Sequence, residues 1–125
     1  MDSKVAKKCA EILQMGAPQL VEKFNSEVLY VMENWEYKEI YSNVVISQVM
    51  EQIPDFFSEV CKILLGMEKL DFEEKKRSLN SIAGVIILKN VLENPDFSGR
   101  FEIIGKVDTG KSGFLIYGKI VKPLN

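Results

Sequence analysis

Along most of the chain, apolar residues return every three to four positions, the period of a helix with one face turned inward. In "DSKVAKKCAEILQMG", Val5, Cys9, Ile12 and Leu13 share such a face. Asp2 or Ser3 suits the N-cap, and Gly16 followed by Pro18 marks a stop and a new start. The second helix runs from Pro18 to about Met32, with Leu20, Val21, Phe24, Val28 and Leu29 inward. "ENWEYKEIYSN" is polar with interleaved aromatics and reads as a loop or the start of a third helix.

"VVISQVMEQI" carries two signals. Its β-branched start favours a strand, while Val45, Val49 and Ile53 fit one helical face; surrounded by helices, it reads as helix. Pro54 and Asp55 open a fourth helix that Gly66 closes. Asp71 and Glu74 have the spacing of a capping box, in which each side chain takes a backbone N–H at the other's position. Leu79, Ile82, Ala83, Ile86 and Leu92 line the helix that follows, and "ENPD" ends it. Its middle, "IAGVIIL", is apolar nearly all round, which predicts a central position.

After Pro95 the period falls to two. "RFEIIGKV" and "GFLIYGKIV" alternate and are rich in aromatic and β-branched residues, with "DTGKSG" between them. That is a β-hairpin pattern. The chain thus predicts a mainly α fold of the α+β kind, with about five packed helices followed by a C-terminal hairpin. It reads as a single domain over residues 1–125, with the hairpin at about 100–121.

Phe101, Ile103, Val107, Phe114, Ile116 and Ile120 are expected on one side of the hairpin, and Ile104, Leu115, Tyr117 and Val121 on the other. Two apolar faces are too many for a ribbon lying in water. The hairpin is therefore expected to be sandwiched within the fold, or to complete a sheet with another copy or partner.

"GKVDTGKS", residues 105–112, matches the phosphate-loop letters G-x-x-x-x-G-K-[ST]. That chemistry needs a strand, a turn aiming its N–H groups at phosphate, and a helix beginning at the Lys-Ser pair. Here "GFLIYGKIV" follows, alternating like a strand. Asp108, Gly110, Ser112 and Gly113 are what a hairpin turn asks for, so the motif reads as a turn.

Composition narrows the function classes. The formal net charge of −2 gives no global attraction to nucleic acid or anionic membrane. It conceals an asymmetry: residues 1–99 carry 11 basic and 16 acidic side chains, and residues 100–125 carry five and two. Histidine is absent, which removes imidazole bases and imidazole metal ligands. Cys9 and Cys61 sit on apolar helix faces and read as buried, reduced thiols of a cytoplasmic protein. The N-terminus lacks the apolar core of a signal peptide, and no apolar run approaches the ~20 residues of a membrane span. Nothing implies a cofactor, a metal site or a catalytic set.

Trp35, Tyr37 and Tyr41 cluster in an acidic stretch and are candidate partner contacts, with Leu115 and Tyr117 on the hairpin. Tyr37 and Tyr41 would share a face if their segment were helical. Glu33, Glu36 and Glu39 around them read as a solvated face. Arg100, Lys106 and Lys111 are candidate phosphate contacts, although lysine on a hairpin more commonly keeps an edge from pairing with other chains.

The function expected is that of a non-catalytic protein–protein interaction or regulatory protein, acting as a homo-oligomer or complex subunit. Two alternatives stand beside it. Helices followed by a basic hairpin have the element order of a winged-helix DNA-binding domain, though the helix before the hairpin offers little to read base edges. A helical domain with an apolar pocket for a small molecule is the other.

Overall fold

The helical periods become five helices: α1 (Ser3–Gly16), α2 (Pro18–Glu33), α3 (Ser42–Gln52), α4 (Pro54–Met67) and α5 (Phe72–Ile87), the last running into a π-helical turn at Leu88–Leu92. The described residues also form three strands: β1 (Glu39–Tyr41), β2 (Phe101–Asp108) and β3 (Phe114–Ile120). The computed structural model describes residues 3–67, 71–92, 94, 101–108 and 114–120. The fold is mainly α with a small antiparallel sheet, the class the sequence predicts.

α5 is the central element. Its residues from Ser81 to Ile87 are buried without a break, and it packs against α1, α2, α3, α4 and β3. Its start is fixed by the expected capping box: the Asp71 carboxylate accepts the Glu74 N–H at 2.8 Å, and the Asp71 N–H donates to Glu74 Oε2 at 3.4 Å. At its other end the helix widens. A π turn shifts backbone bonds to carbonyls five residues back, and the side-chain amide of Asn90 donates to the Ile86 carbonyl, four residues back, at 3.1 Å. Around α5, Phe24 and Phe56 stack with ring centroids 4.3 Å apart and join α2 to α4.

The two-signal segment is helical, as α3, with Val45, Val49 and the following Ile53 buried. On α1 the inward face is rotated from the expected one. Ala6, Cys9, Ala10 and Leu13 are buried, while Ile12 is exposed. Two alanines allow close helix approach and displace the larger Ile12 from the core.

The stretch at 33–43 runs from the last residue of α2 into the start of α3, and between them it is not a plain loop. Glu39, Ile40 and Tyr41 form a strand with an exposed–buried–exposed pattern, and Tyr41 keeps extended backbone (φ −122°, ψ 125°) as the residue that opens α3. Tyr37 and Tyr41 therefore do not share a helix face.

The sheet order is β1-β3-β2, with both pairings antiparallel. The hairpin completes its sheet with a strand of its own chain, and β1 and β3 pack against α3, with β3 also against α5. β1 pairs Glu39 with Lys119, Ile40 with Gly118 and Tyr41 with Tyr117. β2 pairs Glu102 with Lys119 and Gly105 with Tyr117, and the register shifts at Ile104. That bulge corrects the expected faces. An extra residue reverses which positions share a side, so Val107 stands across from Leu115 and Lys106 from Ile116.

Candidate functional site

In an antiparallel sheet, directly paired residues project from the same face. Ile40, only 8% exposed, marks the face toward the helices. The other face therefore carries Glu39, Tyr41, Tyr117, Lys119, Glu102 and Gly105 in two adjoining rows. One row is charged: Lys119 lies between Glu39 and Glu102 in register, and its ammonium is 3.7 Å from Glu102 Oε2. The next is aromatic: Tyr41 and Tyr117 stack with centroids 6.4 Å apart and planes 20° from parallel. Gly105 completes that row on β2, where a Cβ would run into the ring of Tyr117. An aromatic laid across a strand glycine covers backbone that has no side chain of its own.

Glu39 ties the strand to the turn before it. Its carbonyl accepts the Trp35 indole N–H at 2.8 Å, and its Oε2 accepts the Tyr41 hydroxyl at 3.0 Å. Trp35 also packs against the core and meets Tyr37 edge to face with centroids 6.2 Å apart. Tyr37 is 68% and Tyr41 41% exposed. The phenol pKa of Tyr41 is raised above its ordinary value, first by its hydrogen bond to Glu39, then by that carboxylate's charge, with smaller contributions from desolvation and Tyr117.

Of the sequence-predicted contacts, Trp35 and Tyr41 both bond Glu39, Tyr37 meets Trp35, and Tyr117 joins Tyr41 from far along the chain. Trp35 is half-buried and serves the core as well as the surface. Leu115 lies in β3 across from Val107, with its side chain outside the described residues. Arg100 and Lys111 also lie outside them, as does the side chain of Lys106, whose backbone pairs with Ile116. Sequence reasoning missed the Glu39–Lys119–Glu102 row. The alternation in "KEIYS" was its signal, too short to outweigh the helices on either side.

The phosphate-loop letters fall on β2 up to Asp108 and are followed by β3 from Phe114. A strand begins at Phe114, where a phosphate loop would continue as helix, so among the described residues no helix N-terminus is placed to receive a phosphate there. Among the described residues, no group of three His, Cys, Asp or Glu side chains is placed to hold a metal ion. Neither Cys9 nor Cys61 forms a disulfide. No described helix is long and apolar enough to cross a membrane.

Among the described residues, two clefts open elsewhere. One, of about 700 Å³, lies at the α1–α2 turn and is lined by Ala17, Leu20, Asp55, Ser58 and Lys62 among others. The other, about 530 Å³, lies between α2 and α3 at Tyr30, Val31, Gln48 and Glu51. Both are open and are lined about equally by polar and apolar atoms, unlike the enclosed, mostly apolar pockets that hold small molecules. No known protein family, curated protein or solved structure matches the chain.

Proposed function

We propose that this chain is a non-catalytic protein–protein interaction or regulatory protein, a subunit of a homo-oligomer or larger complex, and that it docks through the outer face of its sheet. The observation that supports this reading is an aromatic cluster built from distant parts of the chain: Trp35, in edge contact with Tyr37, bonds the Glu39 carbonyl, and Tyr41 bonds the Glu39 carboxylate and stacks with Tyr117. Large amphipathic rings held by neighbours lose little freedom on docking and are enriched at the centres of protein interfaces. The carboxylates flanking them make this a poor surface for a phosphate backbone, which weighs against the DNA-binding alternative.

The test is the mass of the assembly isolated gently from cells, with Tyr117→Asp and Tyr37→Asp compared against the unaltered chain. The unaltered chain is expected above the 14.2 kDa of one copy. Each variant is expected to be released as a single chain with its helical circular dichroism intact. An unaltered chain that is already monomeric and partnerless refutes the reading, and so do variants that stay in the assembly.

A further inference from the structure

The chain has four tyrosines, Tyr30, Tyr37, Tyr41 and Tyr117, and the fold places two of them differently from the others. Tyr30 on α2 and Tyr37 in the turn before β1 are well exposed, and the ring contact of Tyr37 is an edge on Trp35. Tyr41 and Tyr117 are a cross-strand pair. Their ring centroids are 6.4 Å apart with planes 20° from parallel, within the range of direct aromatic contact. Among the described residues, the Tyr41 hydroxyl is also the one phenol that donates to a carboxylate, Glu39 Oε2, at 3.0 Å.

Those two features are what oxidative coupling of phenols requires. A phenol holds its proton at neutral pH, so removing an electron from it needs a place for the proton to go. A carboxylate already hydrogen-bonded to the hydroxyl is such a place. The radical that remains is short-lived, and its fate depends on its neighbour. A second phenol held beside it makes the coupling step intramolecular, where proximity replaces a collision between chains.

We propose that Tyr41 and Tyr117 form a site of oxidative modification, joined as a dityrosine by a one-electron oxidant, a haem peroxidase supplied with hydrogen peroxide. Each phenol gives up one electron and one proton. The Tyr41 proton passes to Glu39 Oε2, and the Tyr117 proton passes to water. The two phenoxyl radicals bond through the ring carbons beside their hydroxyls, and the hydrogens on those carbons move to the oxygens, which restores both rings. The chain loses two hydrogens in all, and one hydrogen peroxide is reduced to two waters. The new bond ties β1 to β3. It is a property of the free chain and does not depend on the docking role.

The experiment exposes the purified, dilute chain to a haem peroxidase and limiting hydrogen peroxide. The expected product has the mass of one chain less two hydrogens, fluoresces as dityrosine, and yields on digestion a joined pair of peptides bearing Tyr41 and Tyr117. Tyr41→Phe and Tyr117→Phe each keep the ring and are expected to abolish that product. Glu39→Gln keeps an acceptor for the Tyr41 hydroxyl but takes up no proton. It is expected to slow the coupling about tenfold, less than an enclosed catalytic base contributes because water can stand in at an exposed site. Coupling between chains through Tyr30 or Tyr37 in place of this product overturns the inference. So does oxidation that yields no dityrosine. An unchanged rate in Glu39→Gln overturns it as well, since the carboxylate would then take no part.

Discussion

At Gly105 the β2 backbone carries no side chain, and the Tyr117 ring lies over it. Replacing it with alanine sets two effects against each other. A Cβ relieves the conformational cost of glycine in a strand, about 0.5–1 kcal/mol. It also displaces the ring, which forfeits an aromatic pair worth about 0.5–1.5 kcal/mol. Gly105→Ala is therefore expected to leave the unfolding midpoint almost unmoved while removing the nuclear Overhauser contacts between Tyr117 and Tyr41; persistence of those contacts contradicts the described packing. The neighbouring pair is testable by titration. Tyr41 has its pKa raised, chiefly by Glu39, so its neutral form is favoured in the folded state. That contribution is fully present below the ordinary phenol value of about 10 and is lost as pH rises through the higher folded value. Ultraviolet titration should show Tyr41 ionising late, and Glu39→Gln should bring it back toward the ordinary value. The aromatics themselves were legible in the sequence as a cluster. Their partnership with Tyr117 was not, because a contact between residues 41 and 117 depends on sheet register, which local periodicity does not encode.

Among the elements, the helices with strong punctuation were the legible ones. Pro18, Pro54 and the Asp71–Glu74 box are local signals whose physics needs only the next turn of chain. Asp71→Ala removes the acceptor of the Glu74 N–H and is expected to cost about 1 kcal/mol of stability, readable as a lowered urea midpoint without a change in slope; no change would show that the cap is dispensable. The misread elements failed for equally definite reasons. On α1 the large Ile12 drew the apolar face toward itself, but Ala6 and Ala10 face the core. β1 is three residues long, shorter than any period can establish, and is a strand because β3 offers it a ladder. The bulge at Ile104 reversed the side assignment of the rest of β2, and one extra residue leaves no mark in an apolar alternation already full on both faces.

For the molecule as a whole, the two-faced hairpin was a sound clue with an incomplete answer. It needed a cover on one face and another strand, and the chain supplies both, through α3 and α5 and through β1. What it leaves in solvent is the aromatic face, with Tyr37 and Tyr41 exposed. Exposed apolar side chains also occur far from that face in sequence, at Met15 on α1 and Leu65 on α4, and they are the natural rivals for a contact surface. Amide hydrogen exchange decides between them most directly, comparing the isolated assembly with the chain dissociated by Tyr117→Asp. Assembly is expected to add protection at residues 35–41 and 114–120 and to leave α1 and α4 unchanged. Protection gained on α1 and α4 instead, with the sheet unaffected, would contradict the assignment of this face as the docking surface.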